Sequence, residues 1–290
     1  MHEVKLMDQP SLESTLADLN LSAIRFFPSI GSTNDEAWQW IDTGAPHNAL
    51  VIADVQTAGR GRFLRRWITT AGSGLAFSII LRSPPLDPQL VHRLTGLGAL
   101  VICNALKTKY SLPAQIKWPN DILLDQRKSA GVLVEARWDG EKLKAAVIGI
   151  GINIAPESVN PVNLPAEELN FPATCVEDAL GHPVDRLELL HAILQEFFGR
   201  LPRLPFPDLI NAWEDNLAYR DQWVELSVIN SAQSSHRGDT PPPLQAGKLI
   251  GLTPDGSLKL LTRSGKSVTA QVGEIHLRPA PAGQLSQPPD

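Results

Sequence analysis

Paired cysteines, long apolar runs and an excess of positive charge are all missing from this sequence, and each absence excludes a class of protein. The 290-residue chain has two distant cysteines, Cys103 and Cys175, so neither a disulfide framework nor a zinc site is expected. No run reaches the roughly 18 apolar residues of a membrane-spanning helix, and the N-terminus lacks a secretion signal. We therefore predict a cytoplasmic protein without a membrane partner.

The overall charge also limits the class of partner. The formal net charge is -5, which disfavours the broad electropositive face that nucleic-acid binding requires. Hydrophobic residues make up 43% of the chain, as in ordinary globular proteins, and the length allows about two domains. We expect a globular protein with no nucleic-acid partner.

A short segment rich in arginine and glycine is the most informative feature present. Residues 59–67 hold four arginines and two glycines and end at Trp67, soon after a strand-like run at 49–55. Glycines let the backbone approach a ligand, and guanidinium groups match carboxylate and phosphate oxygens. We interpret the segment as a loop that binds a small anion. A solvated charged loop is the alternative, and a nucleic-acid patch is disfavoured by the net charge.

Periodicity and turn residues predict two regions, one of mixed helices and strands and one of short strands. Helices are predicted at 11–19, from 32, at 90–110, at 185–200 and at 208–219, and strands at 49–55, 75–81, 115–118, 122–125, 131–136 and 145–150. Short strands follow at 223–229, 244–251, 257–261, 267–271 and 274–278. The predicted domains are an α+β unit at 1–220 and a small SH3-like β-barrel at 221–280. A mobile loop is predicted at 230–243 and a disordered tail at 281–290.

Polar residues of the α+β region form four further candidate motifs. Lys117 to Asp121 contains a proline between two strands, so it predicts a turn that presents Asn120 and Asp121. Lys128 precedes a strand of small residues, where its ammonium group can reach an oxygen cluster. The alternatives are a turn that satisfies only its own backbone and a surface lysine.

The other two motifs are a glycine-containing strand end and a helix start. Gly149 and Gly151 allow a flat ligand to approach, and Asn153 offers both donors and acceptors. The third glycine of a dinucleotide fingerprint is missing, which argues against NAD. Ser32-Thr33-Asn34 can bind a polar ring at a helix N-terminus, with simple helix capping as the alternative.

Together and in this order, these motifs resemble the biotin protein ligase family, also called biotin–[acetyl-CoA-carboxylase] ligases. The resemblance covers residues 24–154 closely and extends more loosely to the small C-terminal barrel. It implies a mixed β-sheet flanked by helices, as in class II synthetase-like biotin/lipoate ligase domains. It also implies two reaction steps: biotin and ATP give biotinyl-5′-AMP, and an acceptor lysine then displaces AMP.

The resemblance implies a role for each motif. Catalysis is assigned to Arg62, Lys128 and Asp121, the last acting on the acceptor lysine. Biotin binding is assigned to Ser32, Thr33, Asn34, Gln56, Gly59, Arg60, Gly61, Arg62, Lys128, Gly149 and Gly151. ATP binding is assigned to Arg62, Arg65, Trp67, Asn120, Lys128 and Asn153, with Trp67 stacked on adenine. Mg²⁺ is expected with ATP, near Asn120, and no dedicated protein metal site is expected.

The resemblance also implies the partner, the biotin carboxyl carrier protein of acetyl-CoA carboxylase, and a possible homodimer through the edge of the sheet. Some relatives carry an N-terminal helix-turn-helix, for which the 31 residues before Ser32 are too few, so no repressor role is expected. A loop at 159–174 is expected to close over adenosine, with Phe171 and Pro172 in place of a tryptophan. A lipoate or octanoate ligase and a non-catalytic adaptor or repressor are the alternatives.

Overall fold

The computed structural model of the chain describes residues 7–62, 65–159, 172–228, 245–271 and 275–279. The predicted loop at 230–243, the predicted tail at 281–290 and most of the predicted closing loop at 159–174 lie outside these residues. The described ranges contain nearly all the residues of the predicted site motifs.

Eight strands form the larger sheet, and most of the predicted strands are confirmed. They are β1 (Ala23–Ile30), β2 (Ala49–Arg60), β3 (Arg66–Thr69), β4 (Gly74–Arg82), β5 (Gln115–Lys117), β6 (Asp121–Leu124), β7 (Arg127–Asp139) and β8 (Lys142–Asn153). Their order is β1-β2-β4-β8-β7-β6-β5, and β3 pairs with β2 off this path. The β1–β2 pair is parallel and the other neighbours are antiparallel, so the predicted mixed sheet is confirmed.

Six α-helices accompany the described strands. They are α1 (Gln9–Thr15), α2 (Thr33–Asp42), α3 (Leu94–Tyr110), α4 (Val176–Leu180), α5 (Arg186–Arg200) and α6 (Pro207–Asp215). Ser32 caps α2 by accepting from the Asp35 backbone N–H, and Asp185 caps α5 by accepting from two backbone N–H groups. Both helix starts therefore agree with the prediction, because a short oxygen-bearing side chain satisfies the first unpaired N–H groups.

The helices cover opposite faces of the sheet because strand side chains alternate between them. Val51 packs with Ile41 of α2, whereas Leu50 and Ile52 belong to the main core on the α3 side. The segment Pro88–Tyr110, which includes α3, is long and apolar enough to cross a membrane by length and composition, but 61% of its apolar window is buried inside the protein. It packs as the central core helix, against the sheet and against α5 and α6.

Two strands and one helix were missing from the prediction. Apart from a short helix, no element was predicted in residues 1–28, yet β1 lies at 23–30 and contains Pro28. Proline removes a donor, which an edge strand tolerates, and β1 is at the edge of the sheet. Residues 56–60, predicted as loop, extend β2 and pair with β3, so both ends of the arginine segment lie in strands. The short helix α4 was also missed.

Five strands form a second, antiparallel sheet at the C-terminal end. They are β9 (Trp223–Val228), β10 (Gln245–Leu252), β11 (Leu258–Leu261), β12 (Ser267–Ala270) and β13 (Ile275–Pro279), in the order β12-β11-β10-β9-β13. All five short strands were predicted. Closure into an SH3-like barrel and a domain boundary at residue 220 stay predictions.

A buried hydrogen bond joins the second sheet to the first. The indole Nε1 of Trp118, in the turn between β5 and β6, donates to the backbone oxygen of Gly256 at 3.0 Å. Gly256 has φ +81° and its Cα faces the Trp213 ring of α6, where an added Cβ would lie 2.7 Å from a ring carbon. The β10–β11 turn therefore holds the β5–β6 turn, which carries Asn120 and Asp121, through Trp118.

Candidate functional site

An open cavity brings most of the predicted site residues together. It lies over β2, β3, β7 and β8, between the N-terminus of α2 and the β5–β6 turn. Its lining includes the predicted residues Ser32, Thr33, Asn34, Gln56, Arg60, Gly61, Arg62, Arg65, Trp67, Asn120, Asp121, Lys128, Gly149 and Gly151. Five motifs between residues 32 and 151 thus form one site, because the elements that carry them are neighbours in the fold.

Two predicted residues do not line this cavity. Gly59 lies beneath Gln56, since a Cβ on Gly59 would overlap the Gln56 amide at 2.0 Å from Nε2. Asn153 is buried and donates through Nδ2 to the backbone oxygen of Thr174 at 3.2 Å. The structure places Asn153 where it holds the segment after residue 172, and its contact with adenine stays a prediction.

A buried network of neutral hydrogen bonds forms one end of the cavity. Gln56 Oε1 accepts from the backbone N–H and from the hydroxyl of Thr33, at 2.9 and 3.0 Å. The hydroxyl of Ser78 lies 2.8 Å from Thr33 Oγ1 and 2.6 Å from Asn34 Oδ1. A hydroxyl has a single proton, so Ser78 donates to one of these acceptors at a time. This end offers several fixed donors and acceptors without net charge.

Glu135, which was not predicted as a site residue, fixes the outer side of this network. Its two oxygens accept from both terminal nitrogens of Arg60, at 2.6 and 2.8 Å, and from Asn34 Nδ2 at 2.8 Å. Arg60 also pairs with Asp35 at 2.8 Å. Two carboxylates therefore offset the positive charge of Arg60 at the cavity edge.

The charge state of this pair follows from these contacts. Burial by itself raises the pKa of Glu135, but the hydrogen bonds from Arg60, Asn34 and Trp38 outweigh it, and the pKa is lowered overall. The hydrogen bond to Glu135 likewise raises the pKa of Arg60 above its ordinary value. Glu135 is thus a carboxylate at neutral pH and can only accept hydrogen bonds.

The glycines of β8 make room for two cavity side chains. Ile148, Ile150 and Ile152 face the main core, so Gly149 and Gly151 between them face the cavity. A Cβ on Gly149 would lie 2.2 Å from Asn34 Oδ1, and one on Gly151 would lie 2.3 Å from the Trp67 indole ring. The glycines let Asn34 and Trp67 lie directly on the strand.

Cationic groups form the other end of the cavity. Arg62 donates through Nη1 to Asn120 Oδ1 at 3.0 Å, and Asn120 Nδ2 donates to the backbone oxygen of Val132 at 2.9 Å. Burial lowers the pKa of Arg62, against the charge of Asp121, which raises it. Arginine nonetheless stays protonated in proteins. The Arg62 side chain is partly buried, and its guanidinium is held by an asparagine that is itself fixed to β7.

Lys128 and Asp121 form an ion pair at the same end. Lys128 Nζ lies 2.6 Å from Asp121 Oδ1, and the two side chains are 24% and 16% exposed. The ammonium also lies 5.6 Å from the centre of the Trp67 ring, within cation–π range. Gly131 passes beneath the pair, where a Cβ would lie 3.2 Å from Lys128 Nζ. A cation, a carboxylate and a flat ring thus share the cavity wall.

Two members of the site gave only weak sequence signals. Ser78 is one hydroxyl within the apolar run 75–81, and a serine in a fully buried strand was the available sign of a polar partner across the sheet. Glu135 ends the Lys128–Glu135 motif and alternates with Gly131 and Leu133 on the cavity face. Strand alternation from Gly131 would have placed it there.

Comparison with known proteins finds a matching family, similar sequences and a similar solved structure. Residues 26–153 match the biotin/lipoate A/B protein ligase family. The chain is 36% identical over 239 residues to the bifunctional ligase/repressor BirA of Bacillus subtilis, covering 81% of this chain and 68% of that protein. It is 35% identical over 187 residues to the biotin–[acetyl-CoA-carboxylase] ligase of Paracoccus denitrificans, covering 63% and 75%. A biotin protein ligase from Aquifex aeolicus, solved with biotin and ATP, matches with a TM-score of 0.69 at 25% identity, over 90% of this chain and 100% of that one.

Proposed function

The chain belongs to the biotin/lipoate A/B protein ligase family, among its biotin protein ligases, and from that premise we propose that it attaches biotin to a protein lysine in two steps. Biotin and ATP first form biotinyl-5′-AMP and pyrophosphate. A lysine of a biotin carboxyl carrier protein then displaces AMP. The observation that carries the proposal is a single cavity with a neutral hydrogen-bonding end, a cationic end and an aromatic ring beside the cations.

The neutral end suits the cyclic urea of biotin. Gln56, Thr33 and Asn34 line this end and are held by one another and by Ser78, so little ordering is needed when the ring binds. A saturated acyl chain or a dithiolane ring would leave the remaining hydrogen-bonding positions of these groups unpaired, at about 1–3 kcal/mol for each position. The network therefore favours biotin over octanoate or lipoate.

The cationic end suits the first step. An oxygen of the biotin carboxylate attacks the α-phosphorus of ATP, and the bond from that phosphorus to the bridging oxygen breaks as pyrophosphate leaves. Two anions must meet, so fixed positive charge in a water-poor site lowers the barrier. Arg62 is positioned by Asn120 for this role, and Lys128 can reach the carboxylate if its contact with Asp121 is exchanged.

The same residues suit the second step. The amine of the acceptor lysine attacks the acyl carbon, and the bond from that carbon to the phosphate oxygen breaks as AMP leaves. The acceptor must first lose a proton from its ammonium group. Asp121 is proposed to accept this proton once Lys128 has moved to the acyl phosphate, since one carboxylate cannot serve both cations fully. Trp67 is proposed to stack on adenine beside Gly151.

Mg²⁺ finds no preformed set of ligands in the described part of this cavity. Asn120 Oδ1 accepts from the Arg62 guanidinium, which repels a cation, and Asp121 pairs with Lys128. Among the described residues, no group of three His, Cys, Asp or Glu side chains is placed to hold a metal ion. We propose that Mg²⁺ enters bound to the ATP phosphates, as is usual for this ion, and the proposed roles of the protein side chains do not depend on it.

Pyrophosphate exchange tests the proposed substrate. The rate at which labelled pyrophosphate enters ATP is measured with biotin, lipoate or octanoate. Exchange that requires biotin is expected, and exchange with lipoate or octanoate but not biotin would overturn the proposal. Transfer is measured separately, as biotin incorporation into a carrier protein and into the same protein with its acceptor lysine changed to arginine.

A further inference from the structure

We infer that Glu135 is a positioning residue that fixes the direction of the Asn34 amide, and that this makes the cavity select a ring offering an N–H. The inference rests on the biotin ligase function proposed above. Asn34 lines the cavity, whereas Glu135 reaches it only through the groups that it holds.

The direction of the Asn34 amide follows from what its neighbours can donate. Glu135 is a carboxylate and only accepts, so the side of the amide that faces it has to be Nδ2, at 2.8 Å from Oε2. Arg60 and Trp38 donate to the same carboxylate, which keeps it in place and ionised. A reversed amide would set two acceptors 2.8 Å apart in a buried site.

The opposite side of the amide is consequently an acceptor that faces the ligand site. Asn34 Oδ1 lies over Gly149 and 2.6 Å from the Ser78 hydroxyl, the one donor to this oxygen among the described residues. A carbonyl oxygen has two lone pairs, so a second donor can bind. Asn34 can receive an N–H there and cannot offer one. A ring atom that only accepts hydrogen bonds would be repelled by Asn34 Oδ1, because both atoms carry partial negative charge.

This arrangement distinguishes a cyclic urea from its close mimics. The two ring nitrogens of a cyclic urea each carry an N–H, whereas a cyclic carbamate has an acceptor oxygen at one of these positions. Sites built to bond an N–H strongly reject analogues that lack it, because a buried acceptor is then left unpaired. Replacing the N–H that meets Asn34 should therefore cost far more than replacing the other.

The experiment compares biotin with its two carbamate analogues, in which either ring nitrogen is replaced by oxygen. The kcat/KM of ATP–pyrophosphate exchange is measured for each with the wild-type protein, Glu135→Gln and Glu135→Asp. The wild-type protein is expected to reject one analogue about 100-fold more strongly than the other, and this is the discrimination ratio. Glu135→Gln is expected to reduce that ratio by about tenfold or more, because the introduced amide can either donate or accept and so lets the Asn34 amide reverse.

Glu135→Asp tests the effect of side-chain packing while the carboxylate that orients the Asn34 amide is kept. Aspartate also only accepts, so it should keep the discrimination even though the shorter side chain raises the KM for biotin. Ser78→Ala should keep it as well, because Glu135 still sets the amide direction. These two variants decide the question even if Glu135→Gln does not fold. Glu196→Gln, which breaks the Glu196–Arg200 pair on α5, is the matched control and should resemble the wild-type protein.

Each outcome has one meaning. An unchanged ratio in folded Glu135→Gln, or a lost ratio in either Glu135→Asp or Ser78→Ala, overturns the inference. Failure of the wild-type protein to reject either analogue also overturns it. Absence of biotin-dependent exchange in the wild-type protein would instead overturn the proposed function, so the two failures are distinct.

Discussion

Lys128 Nζ lies 2.6 Å from Oδ1 of Asp121, so the cation proposed for the first step and the base proposed for the second hold each other. This contact predicts that Asp121→Asn separates the steps. Adenylate formation should stay near the wild-type rate, because Lys128 keeps its charge and its place beside Trp67. Transfer should slow by about 100-fold, the usual contribution of a general base. Single-turnover transfer from preformed biotinyl-5′-AMP measures this, and slowed pyrophosphate exchange with normal transfer would contradict it.

Lys128→Ala should remove most of the first step. The ammonium is a fixed positive charge in a half-buried site, and removing such a group typically costs about 100-fold or more in rate. Biotin-dependent pyrophosphate exchange is the measurement, with circular dichroism to confirm the fold. Lys144→Ala, which removes an exposed lysine of β8, is the control. Near-normal exchange in Lys128→Ala would refute the assigned role.

Arg62→Lys should weaken adenylation even though the charge is kept. The rigid guanidinium of Arg62 donates through Nη1 to Asn120, and lysine cannot reproduce both its reach and its direction. The loss of one charge-assisted hydrogen bond corresponds to about tenfold or more in kcat/KM. Steady-state exchange kinetics at varied ATP measure this. Arg200→Lys, on α5, controls for the substitution itself, and equal kinetics for both variants would count against the contact.

Gly151→Ala should raise the KM for ATP without a large change in the KM for biotin. The added Cβ would lie 2.3 Å from the Trp67 ring, so the ring has to leave the strand. Stacking of a base on an aromatic ring is worth about 1–3 kcal/mol, or about 5- to 150-fold in affinity. Gly199→Ala is the matched control, because nothing lies within 4 Å of its added Cβ. An unchanged KM for ATP would contradict the proposed stacking of Trp67 on adenine.

Acid should destabilise the wild-type protein more than Glu135→Gln. The pKa of Glu135 is lowered in the folded state, so the stability it contributes is present above the ordinary value of 4.5 and is lost as pH falls through the folded-state pKa. The difference in unfolding free energy between wild type and Glu135→Gln should therefore shrink below pH 4.5. Urea unfolding across this range tests it, with Glu196→Gln as control. A constant difference would show that the carboxylate contacts contribute nothing.

Much of the site followed from the sequence because strand pairing brings distant motifs into one register. Gly131 pairs with Gly151, so the motif containing Lys128 and the motif containing Asn153 had to meet once both segments were strands. The Ser32 cap could also be predicted, because a hydroxyl before an amphipathic helix bonds a backbone N–H only three residues away.

The remainder depended on contacts that no local pattern encodes. β1 was missed because its edge position, which tolerates Pro28, is known only from the topology. Ser78 and Glu135 acquire their roles from partners more than forty residues away, Thr33 and Asn34 in α2. Which way a side-chain amide points is decided by such partners, so the amide direction at Asn34 was outside the reach of sequence reasoning.

The Trp118–Gly256 hydrogen bond has a consequence for protein engineering. It joins the turn that carries Asn120 and Asp121 to a residue 138 positions downstream, and the Trp118 side chain is almost fully buried. A chimaera whose second sheet does not offer this carbonyl would leave the buried indole N–H of Trp118 without a hydrogen-bond partner. This would destabilise the folded protein by about 1–3 kcal/mol. Grafts between relatives should therefore exchange residues 117–121 and 253–257 as a matched pair.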